Sequence, residues 1–162
     1  MFFEEKLKEK LNRYYDVTDA EVIGCFEADF VARYHQRNIN YVLKKSNELY
    51  AFENNEFVLF KKLEEPFSEK TLENLEAFFK NDAVELLSGD NDHMSSIVTV
   101  IFETDLPEDP ALIKKIQKFT YYKSFMFGLK GWINGGLMLI NPSDKRGLSN
   151  KYSRKELEKF LI

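Results

Sequence analysis

The sequence predicts an α+β fold. It is a mixed sheet of about six strands, an antiparallel meander followed by one parallel βαβ unit, with helices packed on it. Two stretches carry the prediction. Ile97-Val98-Thr99-Val100-Ile101-Phe102 is a continuous β-branched run in which only Thr99 is polar, as in a strand covered on both faces. Asp109-Pro110 then opens a helix, with Asp109 placed to cap free N–H groups and Pro110 where its missing N–H costs nothing. The spacing runs that helix to about Phe127, with Gly128 or Gly131 as the stop, and Trp132 to Ile140 returns to strand. Two strands joined by a helical crossover lie parallel, with a right-handed connection.

The other elements follow in order. Phe2 to Tyr15 reads as a helix whose buried stripe is Phe3, Leu7, Leu11 and Tyr14, with Val17-Thr18-Asp19 as a connection. Glu21 to Tyr34 alternates with period two, one long or bent strand with Gly24 as its irregular point. Asn40 to Lys45 and Leu49 to Phe52 read as further strands. Asn54-Asn55 reads as a hairpin turn before a strand at Glu56 to Leu63. Ser68 is the natural cap of a second helix, with Phe67 and Leu72 in staple relation across it. Leu72, Leu75, Phe79, Ala83 and Leu86 form its buried stripe. Asn141 to Gly147 is a polar loop, and Ser153 with Glu156 reads as a capping box for a last helix that docks through Leu157, Phe160 and Leu161. No repeat or linker divides residues 1–162, so a single domain is expected.

Composition narrows the classes. Hydrophobic residues make up 44% and charged residues 31% of 162, the balance of an ordinary globular protein. No apolar run approaches the roughly 20 residues that span a bilayer, and the acidic N-terminus lacks a signal-peptide pattern. The lone Cys25 excludes an internal disulfide, fits a reducing cytosol and is expected to be buried. The net charge of −4 is unevenly spread: −1 over residues 1–63, −11 over 64–109 and +8 over 110–162. A basic last third favours an acidic protein or a nucleic acid.

Chemistry-bearing motifs are few. His35, His93 and Cys25 do not form a zinc-ligand pattern, so no metal or other cofactor is expected. Asp90-Asn91-Asp92 lacks the glycine and distal glutamate of a calcium loop. The glycines between Gly128 and Gly136 close a helix and enter a strand, the reverse of a phosphate cradle. The order helix, antiparallel strands, helix, strand resembles the core of the PD-(D/E)XK nucleases. That family holds a divalent metal with an Asp and a Glu-x-Lys on neighbouring strands. The resemblance lies in element order alone, because no expected strand contains Glu-x-Lys. Glu27 and Asp29, on one strand face with Arg33, are the nearest thing to an acidic site.

The crossover helix is the most informative surface. Leu112, Ile116, Phe119, Met126 and Phe127 cluster on one side, with Lys123 near the middle of that stripe. Tyr121 and Phe125 fall beside Lys114 and Lys118. The expected function is therefore a non-catalytic cytoplasmic module that binds a protein or itself, a homodimer being the simplest form. Its site is Lys114, Lys118, Tyr121, Tyr122 and Phe125, with Lys123 and Trp132 close by. One alternative is a metal-dependent hydrolase or nuclease-like enzyme at Glu27 and Asp29. Another is nucleic-acid binding through the basic last third.

Overall fold

The computed structural model describes residues 2–37, 53–87, 94–124 and 131–162. The architecture is α+β, with four α-helices and a mixed seven-stranded sheet among the described residues. In chain order the elements are α1 (Phe3–Leu11), β1 (Asp16–Ile23), β2 (Phe26–Arg37), β3 (Glu53–Lys62), α2 (Glu69–Asn81) and β4 (Met94–Glu103). There follow α3 (Pro110–Lys118), β5 (Tyr122–Ser124), β6 (Gly131–Asn141), β7 (Arg146–Ser149) and α4 (Arg154–Leu157). The sheet runs β1-β2-β3-β4-β6-β5, and β7 pairs with the other half of the β6 edge. β3, β4 and β6 are parallel, as the two crossovers through α2 and α3 require, and the remaining pairs are antiparallel.

Each face of the sheet has its own core. On the first, Val98, Val100, Ile133 and Leu137 are covered by Leu72, Leu75, Phe78 and Phe79 of α2 and by Leu112 and Ile116 of α3. On the second, Phe30, Phe60, Ile101 and Met138 are covered by Phe3, Leu7 and Leu11 of α1, with Leu157, Phe160 and Leu161 packed alongside. β4 sits centrally and is buried on both sides, which is why its sequence shows no alternation. Ser68 caps α2, its Oγ accepting from the Thr71 N–H at 3.3 Å, and Asp109 caps α3, accepting from the Ala111 N–H at 3.1 Å.

Several expectations are corrected. The crossover helix ends at Lys118, nine residues before Phe127, and Tyr122–Ser124 form an edge strand against residues 132–134 of β6. The aromatic run Phe119 to Tyr122 suits a strand as well as a helix, and the free edge of β6 decides the matter. The period-two stretch from Glu21 is not one strand. Gly24, at φ +57°, and Cys25 turn it into a hairpin that closes with the pair Ile23–Phe26, and Val17 to Asp19 belong to β1. Asn54 and Asn55 lie inside β3, held by the parallel partner β4. α1 stops at Leu11, leaving Tyr14 75% exposed. Arg146 and Gly147 belong to β7 rather than to a loop. Ser153 is buried and its side chain makes no cap bond to α4. The expected strands at 40–45 and 49–52, the acidic turn at 88–92 and His93 lie outside the described residues.

Asn150 does what Ser153 was expected to do, and more. Its fully buried carboxamide accepts from the N–H groups of Leu137 (3.1 Å) and Ser153 (3.3 Å). It donates to the carbonyls of Phe119 (3.1 Å) and Gly135 (3.2 Å). One side chain thus joins the end of α3, the middle of β6 and the start of the C-terminal helical segment. Gly136 makes the last of these approaches possible, since a Cβ there would collide with Ser153 Oγ and lie 2.9 Å from Thr99 Oγ1.

Replacing Asn150 with alanine strands three buried backbone groups, the Leu137 N–H and the Phe119 and Gly135 carbonyls, while the Ser153 N–H keeps the residue-150 carbonyl at 3.2 Å, so the expected loss is roughly 3–5 kcal/mol. Urea unfolding followed by circular dichroism measures it. Asn150→Asp keeps the two acceptor contacts but turns a carboxylate on two carbonyls, and should be comparably damaging. A loss below about 1 kcal/mol for either variant would contradict this role.

Candidate functional site

α2 and α3 lie side by side on the first face and leave an open groove of about 980 Å³ between them. Glu73 and Glu76 project together at i, i+3 spacing from one wall, with Lys80 one turn beyond Glu76, and Lys114 and Lys118 form the other wall at i, i+4. Phe79, Phe119 and Tyr121 make the floor, the Phe79 ring lying 5.5 Å from Phe119 and 5.1 Å from Tyr121. A Glu69–Lys115 ion pair at 2.5 Å bridges the two helices at the rim. Lys114 and Lys118 have no ion-pair partner among the described residues. The α2 wall, with two carboxylates against Lys80, is therefore net acidic and the α3 wall basic, above an aromatic base.

Six of the seven residues singled out in the sequence are described, and they divide between the two faces. Lys114, Lys118 and Tyr121 line the groove. Lys123 is exposed on β5 opposite Ile133, so it is not in the middle of a helical stripe. Tyr122, 62% exposed, pairs with Asn134 and so lies on the second face, where half-buried Trp132 also lies. Phe125 is outside the described residues.

The second face has a site that sequence reasoning missed. The registers align Tyr34, Glu56, Ile97, Asn134 and Tyr122 in one row across β2, β3, β4, β6 and β5. Rows nearer the other end carry Phe30, Phe60, Ile101 and Met138 and lie under α1. The row at Glu56 borders three adjoining cavities, each lined by its carboxylate. Tyr15, just past α1, donates to Glu56 Oε2 at 2.5 Å and packs against Tyr34 with ring centroids 5.5 Å apart. Tyr152, from the C-terminal segment, closes the other side. Burial first, and then the hydrogen bond to Glu56 and its charge, hold the Tyr15 hydroxyl far above its ordinary value, while burial and the Glu56 charge raise that of Tyr152. Glu56 could have been noticed as the one charge heading the apolar run to Phe60.

The acidic alternative is rearranged. β2 changes faces between Ala28 and Phe30: Phe26 and Ala28 pack under α2, Phe30 and Ala32 under α1. Glu27 is exposed, while Asp29 is occupied with Lys61 Nζ (3.3 Å) and the Lys62 N–H (2.7 Å). Arg33 instead forks onto Glu21, at 2.9 and 2.5 Å, and holds that carboxyl below its usual range. Among the described residues no three His, Cys, Asp or Glu side chains are grouped so as to hold a metal ion. Cys25 is exposed rather than buried, because it occupies the hairpin turn. The basic last third is divided, with Lys114 and Lys118 on the first face and Lys155 and Lys159 on the second.

The chain belongs to the family described as Domain of unknown function (DUF8052), whose model matches residues 2–162. No curated protein and no solved structure matches it. No helix among the described residues is long and apolar enough to cross a membrane.

The Tyr15 contact has a pH signature. The folded protein holds the phenolic proton more tightly than the unfolded chain, whose tyrosines titrate near 10.0. Its stabilisation is therefore whole below that pH and is lost as pH rises above it. The stability difference between wild type and Tyr15→Phe, read from urea unfolding, should shrink between about pH 9 and about pH 11. A difference unchanged across that interval would contradict the contact.

Proposed function

We propose that this protein is a non-catalytic module that associates with a second copy of itself through the groove between α2 and α3. The carrying observation is the groove's charge pattern: Glu73 and Glu76 outweigh Lys80 along one wall, Lys114 and Lys118 line the other, and aromatic rings lie between them. A two-fold contact uses the same patch on both partners, so that patch must complement itself. Turned about a two-fold axis, the acidic wall of one copy meets the basic wall of the other, and Tyr121 and Phe119 meet their counterparts at the centre. Aromatic rings at the middle and charges at the rim match the usual anatomy of protein contacts.

The mixed sign of the walls favours a protein surface over a uniform polyanion, which would be repelled by Glu73 and Glu76. The division of the basic last third between two faces weighs in the same direction, since nucleic-acid binding rests on a continuous positive track. An exposed, unbridged Cys25 suits a reducing compartment such as the cytoplasm.

Charge exchange tests the reading. A chain carrying Glu73→Lys and Glu76→Lys and a chain carrying Lys114→Glu and Lys118→Glu should each sediment as monomers. Mixed in equal amounts they should form a heterodimer, because each wall then faces its opposite. Sedimentation velocity with one chain fluorescently labelled reads the outcome. Wild type that stays monomeric at about 100 μM, well above the micromolar range of ordinary self-association, would contradict the proposal. So would altered chains that self-associate as tightly as wild type.

A further inference from the structure

The second face carries a cavity with a different chemistry from that of the groove. It encloses about 280 Å³ at the row through Glu56, walled by Tyr34, Tyr152 and Trp132, with Asn134 and Ile97 beneath. Among the described residues no lysine, arginine or histidine lines it. Glu56 is half-buried, and no basic side chain among the described residues pairs with it. Its Oε2 accepts from the Tyr15 hydroxyl, and the other oxygen accepts nothing from the described residues. Lys155 borders the adjoining cavity of about 240 Å³, and Lys10, Arg13 and Lys159 border the next one, but none of the four forms an ion pair with Glu56.

A carboxylate withdrawn from water is costly unless something positive meets it. The walls of the 280 Å³ cavity offer aromatic faces instead, and a cation set against such faces is attracted by their negative π-clouds. A bare metal ion prefers a shell of oxygen ligands, which one carboxylate does not supply. An alkylated ammonium suits both parts of the site. Its charge is spread over a greasy surface that the rings can cover, and its loss of hydration is small. The cavity's size accommodates such a group with its methyls in contact with the walls.

We propose that the Glu56 cavity binds an organic cation of the quaternary or methylated ammonium class, with Tyr34, Tyr152 and Trp132 as the aromatic walls and Glu56 as the counter-charge. The Tyr15 hydroxyl is a positioning group: it holds the carboxylate toward the sheet and does not touch the ligand. Free small molecules and methylated lysine side chains present the same ammonium chemistry.

Trp132 is the only tryptophan of the chain, so its fluorescence reports on the cavity directly. Full-length protein is titrated with choline chloride at constant ionic strength. The controls are 3,3-dimethyl-1-butanol, the neutral isostere of choline, and sodium chloride. Choline should give a saturable change in emission, and the neutral isostere at the same concentrations should give none. Glu56→Gln keeps the size and the hydrogen-bond acceptor for Tyr15, and should weaken choline binding by about tenfold or more. Tyr152→Ala, at a half-exposed position, should weaken it as well, and thermal melts check that both variants remain folded. A short peptide containing trimethyllysine separates the sources: tighter binding than choline assigns the site to a side chain, weaker binding to a free cation. Equal responses to choline and its neutral isostere would overturn the proposal. So would no response to either cation, or full choline affinity in folded Glu56→Gln.

Discussion

The buried carboxamide of Asn150 is the constraint on which the rest of the structure turns. It contacts Phe119, where α3 ends, Gly135 and Leu137, where the β6 edge passes from β5 to β7, and Ser153, where the C-terminal segment begins. The Gly135 N–H also donates to the Tyr121 carbonyl at 2.9 Å, and the Asn150 N–H to that of Leu137 at 3.0 Å. These groups lie in the stretch of β6 that no neighbouring strand covers on that side, where carbonyl and N–H groups would otherwise be buried without partners. A side chain with two donors and two acceptor positions satisfies them together, which an apolar residue cannot do.

That junction positions both surfaces discussed above. By ending α3 at Lys118 it sends Phe119 and Tyr121 down against Phe79, forming the floor of the groove and leaving Lys114 and Lys118 above it. By turning the chain over the far face at Ser153 it brings Tyr152 to the row that carries Glu56. The two surfaces differ in electrostatic character. One sets opposite charges side by side in open solvent, where each pair is worth little and orientation is what they supply. The other sets the half-buried Glu56 carboxylate beside rings, where partial withdrawal from water makes its charge count for more.

Much of this architecture was legible in the sequence, for reasons that are local. The run Ile97 to Phe102 reads as a central strand because burial on both faces removes alternation. Ser68 and Asp109-Pro110 announce helix starts through capping chemistry that needs no tertiary context. The end of α3 was hidden, since Phe119, Tyr121 and Tyr122 fit either period and only pairing with β6 selects the strand. The turn at Gly24-Cys25 was hidden because a two-residue hairpin leaves the period-two pattern nearly unbroken. Lys114, Lys118 and Tyr121 could be grouped in advance because they share one segment. The Glu56 site could not: Tyr15, Tyr34, Trp132 and Tyr152 come from four distant segments, and sheet register alone aligns them.

In the proposed dimer the first face, bearing α2 and α3, meets another copy while the second face does not. Hydrogen–deuterium exchange of the unaltered protein at high and low concentration distinguishes the two faces. Concentrating the protein should slow exchange in peptides covering residues 69–81 and 110–121, and leave those covering α1 and residues 151–162 unchanged. Protection that is independent of concentration, or that develops over α1 and the C-terminal segment instead, would contradict it.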